Sequence, residues 1–209
     1  CGSRAGDARP EELTTSECLD LVRQMAEVGI DEVTLIGGEA YLRKDWLEIA
    51  VAIKDHGMLC GVTTGGLALG KHMAQKMKDA GINSVSLSVD GLEATHDALR
   101  GVPGSWRAAL NAMAALKEAG VPVSSNTQIN RKSWQELPAL YEVLRDAGMH
   151  SWQIQLTVPM GNAADNPEML LQPYDLLTLY PQLAALAERA IADGITLAPG
   201  NNIGYYGPY

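Results

Sequence analysis

Apolar residues recur along the chain at two alternating spacings. Over residues 14 to 28, Cys18, Leu21, Val22, Met25 and Val28 fall on one face of a helix. The same spacing returns in Trp46, Ile49, Ala50 and Ile53, in Met73, Met77 and Ala80, in Trp106, Leu110, Met113 and Leu116, and in Leu137, Leu140, Leu144 and Ala147. Thr14 with Glu17, and Ser133 with Glu136, are spaced as helix N-terminal caps. The helical patterns close on glycine followed by an apolar residue, at Gly29-Ile30, Gly57-Met58, Gly81-Ile82, Gly120-Val121, Gly148-Met149 and Gly194-Ile195. Glycine there supplies the left-handed residue that stops a helix.

A short strand-like run follows each glycine, over residues 32–36, 59–63, 84–88, 122–125, 151–156 and 196–198. Alternating helix and strand implies crossover connections and a parallel sheet in an α/β fold, either wound open or curved into a barrel. A sheet buried on both faces has little room for polar side chains, yet Ser86, Ser88, Ser125, Gln153 and Gln155 lie inside these runs. They favour a curved sheet whose inner face lines a wet cavity. The chain also reads as cut at both ends: a strand is expected ahead of the loop that opens at Cys1, and Asn201 to Tyr209 ends without a closing element.

Composition narrows the function classes. With 46% hydrophobic and 20% charged residues, the 209-residue chain suits one globular domain. No apolar run is long enough to span a bilayer and residues 1 to 15 lack a signal pattern, so a cytoplasmic location is expected. A net charge of -9 with scattered basic residues disfavours nucleic acid. Three cysteines, Cys1, Cys18 and Cys60, are too few and too far apart for a disulfide framework. Cys18 and Cys60 sit in apolar contexts and read as core residues.

In parallel α/β folds the ligand lies beyond the carboxyl ends of the strands. Here those positions are Gly37-Gly38-Glu39, Thr63-Thr64-Gly65-Gly66, Ser88-Val89-Asp90-Gly91, Asn126-Thr127-Gln128 and Leu156-Thr157-Val158-Pro159, with Cys1 following the expected first strand. Bare backbone at Gly37-Gly38 beside the Glu39 carboxylate would suit an ammonium group. A simple turn with a solvated Glu39 is the plain alternative.

Taken in order, Cys1 with Gly-Ser-Arg-Ala-Gly, then GGE, TTGG, SLSVDG and HDALRG resemble the radical S-adenosylmethionine superfamily, and most of all its SPASM-containing, peptide-modifying branch. The likeness covers nearly the whole chain. It implies a partial (β/α)6 TIM barrel, with residues 1–198 as the core and 199–209 leading into a SPASM region that binds auxiliary [4Fe-4S] clusters. It also implies a [4Fe-4S] cluster on three cysteines, S-adenosylmethionine as cosubstrate, an external flavodoxin- or ferredoxin-type electron donor, and a precursor peptide as substrate. By position, Cys1 matches the last cluster cysteine. Gly37, Gly38 and Glu39 match the segment that receives the methionine amine, and Ser88 and Arg100 the residues that hold its carboxylate. Thr63 and Thr64 match the turn near the ribose, Asn126 and Gln128 the polar strand end beside it, and Leu156 the backbone contact to adenine; Asp90 and Asp97 are weaker candidates.

Two positions depart from the family pattern: Ala40 stands where proline is usual, and Thr64 where asparagine is. Arg100 could instead pair with Asp97 at the surface, and His56, His72 and His96 read as solvated. His150 starts a strand, and the sequence leaves its direction open. Sulfatase-type maturation and haem or quinone cofactor synthesis stay open within the superfamily. Outside it, a Schiff-base barrel enzyme would want a strand-borne lysine, which none of the runs contains, and a non-catalytic peptide-binding barrel would keep the cavity without a cluster.

Overall fold

The computed structural model describes Arg9 and residues 11 to 204. Six strands, β1 (Glu32–Leu35), β2 (Leu59–Thr64), β3 (Ser84–Ser88), β4 (Val123–Ile129), β5 (Ser151–Leu156) and β6 (Thr196–Pro199), alternate with α1 (Thr15–Glu27), α2 (Trp46–Asp55), α3 (Lys71–Asp79), α4 (Glu93–Arg100), α5 (Ser105–Ala119), α6 (Leu137–Asp146) and α7 (Leu176–Ala192). All six predicted glycines adopt left-handed backbone, with φ between 71° and 91°. In each turn the amide after the glycine bonds back to the carbonyl five residues earlier at 2.8 to 3.2 Å, from Ile30 to Met25 through Ile195 to Ala190. This double reversal satisfies helix-end carbonyls and turns the chain directly into the next strand.

The strands form one sheet in sequential order, β1 to β6, with every neighbouring pair parallel. Successive side chains point to opposite faces, so the parallel register sorts whole rows of residues. On the helix side Val62, Val85, Leu87, Val123, Ile129, Trp152 and Ile154 are each no more than 3% exposed. They meet Met77, Met113, Leu116, Leu140, Tyr141 and Leu144 from the helices, in one continuous core. The Tyr141 and Trp152 rings lie 5.9 Å apart across that layer.

Ser125, expected on the inner face, belongs instead to the helix layer and is fully buried. Its parity along β4 follows Val123, and its hydroxyl donates to the Leu87 carbonyl at 3.0 Å. Thr127 behaves likewise, donating to the Val89 carbonyl (2.5 Å) and accepting from Trp152 Nε1 (2.8 Å). The Ser125 and Thr127 hydroxyls thus each have a partner, which is the condition for burying them cheaply.

The Thr14–Glu17 capping box forms as expected. The second cap does not: residues Trp134–Glu136 make a 3-10 turn, the buried Ser133 hydroxyl has no partner, and Glu136 reaches across to α4. α1 also uses less of its apolar face than its pattern suggests, since Val22 is buried while Leu21 and Val28 are exposed. Cys60 is buried in β2 and Cys18 half-buried on α1. Among the described residues no helix is long and apolar enough to cross a membrane.

Leu140, fully enclosed between sheet and helices, is a direct probe of this core. Leu140→Ala is expected to lower the unfolding free energy by about 2–5 kcal/mol in urea titrations. Ile191→Ala, on the exposed side of α7, should change it by less than about 0.5 kcal/mol.

Candidate functional site

The other face of the sheet carries the polar rows. Thr63 is in register with Ser86, Ser86 with Ser124, and Ser124 with Ser151. One step nearer the carboxyl ends, Ser88 aligns with Asn126 and Asn126 with Gln153, and Gln128 aligns with Gln155. The Asn126 carboxamide donates to Gln153 Oε1 at 3.0 Å and accepts from Gln155 Nε2 at 3.2 Å. An orderly amide cluster therefore stands at the centre of the open face. Thr63 joins it, but Thr64, next in β2, points the other way and is 2% exposed.

At the rim, Gly37 holds φ +140°, a conformation that side-chain-bearing residues rarely adopt, and among the described residues beyond its chain neighbours no atom lies within 4 Å of where a Cβ would stand. Glu39 is engaged: its carboxylate accepts from the Gly65 amide at 2.9 Å and from the Thr64 hydroxyl. The Thr64 oxygen in turn accepts from the Gly66 amide at 2.9 Å and lies 3.1 Å from the Tyr41 hydroxyl, which donates to the Leu67 carbonyl at 2.5 Å. Glu39 thus ties the turn after β1 to the turn after β2. Burial, with Glu39 nearby, pushes the Tyr41 phenol up to about 12, so it remains a neutral donor. The two family departures meet in this network, because Thr64 takes part in it and Ala40 opens the 3-10 turn that carries Tyr41.

A second cluster forms beyond β3. Asp90 Oδ1 accepts from the Gln128 amide at 2.9 Å, and Oδ2 pairs with Arg100 Nη2 at 2.7 Å. Arg100 Nε is buried and makes no hydrogen bond among the described residues. The alternative pairing of Arg100 with Asp97 does not form among the described residues, because Asp97 caps α5, accepting from the amides of Gly104 and Trp106 and from the Ser105 hydroxyl. The amide bonds from Trp106 and Gly104 hold its carboxyl below the usual range. His96, expected in solvent, is 1% exposed. Its Nδ1 accepts from the Asp90 amide at 3.0 Å, which fixes the proton of the neutral ring on Nε2. Burial holds its pKa below the ordinary value, outweighing the attraction of Asp90. His56 and His72 are exposed, as expected.

The Leu156 backbone is occupied. The Asn202 carboxamide accepts from its amide at 3.0 Å and donates to its carbonyl at 2.5 Å. Cys1 lies outside the described residues. His150 is exposed at the amino end of β5, lining a shallow concavity of about 290 Å³ with Lys117, Val121 and Pro122, at the opposite end of the strands from the polar cluster. Sequence reasoning missed Tyr41, Glu136 and Asn202, whose roles depend on partners 23 to 46 residues away.

The chain and its fold have counterparts among known proteins. The model of the radical SAM superfamily matches residues 1–144, and the chain belongs to that superfamily. The superfamily works with a [4Fe-4S] cluster and S-adenosylmethionine. Among curated relatives, the AdoMet-dependent heme synthase of Nitratidesulfovibrio vulgaris is 31% identical over 74% of this chain and 42% of its own length. The sporulation killing factor maturation protein SkfB of Bacillus subtilis is 30% identical over 79% of this chain and 40% of its own length. The chain spans half or less of the curated relatives it matches. Among solved structures, SuiB of Streptococcus suis bound to S-adenosylmethionine superposes with a TM-score of 0.75 at 14% identity, covering 93% of this chain and 45% of that one. anSMEcpe with bound AdoMet gives 0.74 at 13%, covering 96% and 59%. These likenesses establish the expected partial barrel.

Because folding keeps His96 neutral, the unfolded chain protonates first as pH falls below about 6.5, and stability is lost there. His96→Asn places an amide oxygen where Nδ1 accepts. Its stability deficit relative to the parent should shrink on going from about pH 7.5 to about pH 5.5 in urea titrations; a deficit independent of pH would contradict the buried neutral ring.

Proposed function

We propose that the chain is the core barrel of an enzyme that reductively cleaves S-adenosylmethionine and uses the product to remove hydrogen from a substrate, most consistently a ribosomally made precursor peptide. The observation carrying this reading is the polar face running from Ser88 through Asn126 and Gln128 to Gln153 and Gln155, bounded by the main chain at Gly37 and by Arg100. The residues present fit the cosubstrate: among the described residues nothing beyond its chain neighbours crowds the Cβ position of Gly37, and the Arg100 side chain is still 29% exposed while paired with Asp90.

In this reading the carbonyls of Gly37 and Gly38 accept from the methionine ammonium, while Ser88 and Arg100 hold the carboxylate through charge-assisted hydrogen bonds. Thr63, Asn126 and Gln128 face the ribose. Glu39 and Thr64 act from behind, holding the turn that presents Gly37. The adenine edge, a donor beside an acceptor, would take the Leu156 amide and carbonyl now held by the like-patterned Asn202 carboxamide. Cys1 is proposed as one cluster ligand, with its two partners upstream. The cluster, when bound, supplies the electron that breaks the sulfonium carbon–sulfur bond, releasing methionine and the 5'-deoxyadenosyl radical that takes hydrogen from the substrate. A flavodoxin- or ferredoxin-type protein is the proposed source of that electron.

Support for the peptide comes from relatives named for peptide maturation, SkfB and the PqqA peptide cyclases, and from SuiB, solved with its precursor peptide SuiA. A second reading has its own support, since heme synthases and an Fe-coproporphyrin III synthase match at 29% to 33% identity. The substrate would then be a tetrapyrrole.

The test uses the cluster-loaded full-length enzyme, reduced with dithionite under anaerobic conditions. It should release 5'-deoxyadenosine, and Ser88→Ala and Arg100→Met should each raise the half-saturating S-adenosylmethionine concentration about tenfold or more. Stimulation by a precursor peptide supports the first reading and stimulation by iron coproporphyrin the second. A cluster-loaded sample that forms no 5'-deoxyadenosine overturns both, in favour of a binding barrel.

A further inference from the structure

Arg100 is a poor anion holder by itself, since its four side-chain torsions must be frozen before the guanidinium fork can meet a carboxylate. The structure freezes it from one place. Resting on the reading of Arg100 as the partner of the methionine carboxylate, we propose that Asp90 is the positioning residue for that arginine. In this role Asp90 couples the carboxylate end of the cosubstrate site to strand β4 at its ribose end.

Asp90 sits where the β3 ladder stops. The Val89 amide still bonds to the Asn126 carbonyl at 3.0 Å, but the Asp90 amide turns away to His96 Nδ1. The Val89 carbonyl accepts from the Thr127 hydroxyl, and the Gln128 amide donates to Asp90 Oδ1 at 2.9 Å. One carboxylate oxygen is thus built into the sheet, and the other receives Arg100 Nη2 at 2.7 Å. The Asp90 side chain is only 10% exposed, so its direction is set by packing as well as by bonds.

The helix bearing Arg100 is fixed at its other end too. Glu136 accepts from the Leu92 amide at 2.7 Å and from the Thr95 hydroxyl at 2.5 Å, and the left-handed Gly101 ends the helix just beyond the arginine. A Cβ at Gly91 would stand 2.8 Å from Glu136 Oε2, so a side chain there would have to displace the carboxylate that holds the start of α4. α4 is therefore held at its start by Glu136, at its middle by His96 and at its end by Asp90. Nη2 is the guanidinium nitrogen paired with Asp90, and the Arg100 side chain stays 29% exposed.

Asp90 could act in the opposite sense. A carboxylate already bound to Arg100 also competes with an incoming one and repels it. The Gln128 amide and Arg100 both draw on the Asp90 charge, which reduces that repulsion. The proposal is that orientation outweighs it, and the two effects predict opposite signs for removal of the charge.

The experiment measures equilibrium binding of S-adenosylmethionine and of decarboxylated S-adenosylmethionine to the cluster-loaded enzyme and to its Asp90→Asn, Arg100→Met and doubly substituted variants. Asp90→Asn is expected to weaken S-adenosylmethionine about tenfold while leaving the decarboxylated compound within about twofold, and the double variant should bind no more weakly than Arg100→Met. Asp90→Glu, which keeps the charge but displaces it by one methylene, should show the same selective loss and serves if Asp90→Asn does not fold. Unchanged or tighter S-adenosylmethionine binding in either Asp90 variant overturns the proposal, as does equal weakening of both compounds, which would mark a merely structural role. If Arg100→Met itself fails to distinguish the two compounds, the reading of Arg100 falls first.

Discussion

The parallel register of the six strands is the constraint on which everything else depends. Because each strand is hydrogen-bonded to its sequence neighbour in the same direction, a residue's parity along its own strand decides whether it meets the helices or the open face. Rows of valine, leucine and isoleucine fall on one side, rows of serine, asparagine and glutamine on the other. A slip of one residue in any strand would bury an amide row and expose a core row. The repeated glycine turns guard against that slip, since each fixes where a helix stops and the next strand starts.

That register also brings all the strand ends to one rim, where two acidic side chains do similar work. Glu39 and Asp90 each use one oxygen to satisfy a main-chain amide of a neighbouring element, Gly65 and Gln128 respectively, and the other to hold a side chain, Thr64 or Arg100. Neither is a free charge waiting for a ligand. What remains to face a cosubstrate is glycine backbone, hydroxyls, carboxamides and one oriented guanidinium. In the proposed function such a set would bind and orient, and the cofactor would supply the reactive chemistry.

The alternation of elements was legible because glycine and hydrophobic period are local signals, and all six helix stops fell where the sequence put them. The rim was legible for the same reason: strand ends follow from strand positions. The errors have a common origin in side-chain partnerships that hydrophobic period does not encode. His96 lies in a polar helical segment, yet its ring is buried and accepts from the Asp90 amide six residues away. Glu136 has the spacing of a local cap and serves a helix some forty residues earlier. Thr63 and Thr64 look equivalent in sequence, yet strand parity sends one to the open face and the other into the Glu39 network.

A structure of the cluster-loaded protein with S-adenosylmethionine, determined without oxygen, tests the central claim most directly. The account predicts the cosubstrate along the polar face, its amine against Gly37, its carboxylate on Ser88 and Arg100, and its adenine on the Leu156 backbone with Asn202 displaced. A cosubstrate bound away from the Ser88, Asn126 and Gln128 row, or with its carboxylate remote from Arg100, would contradict it.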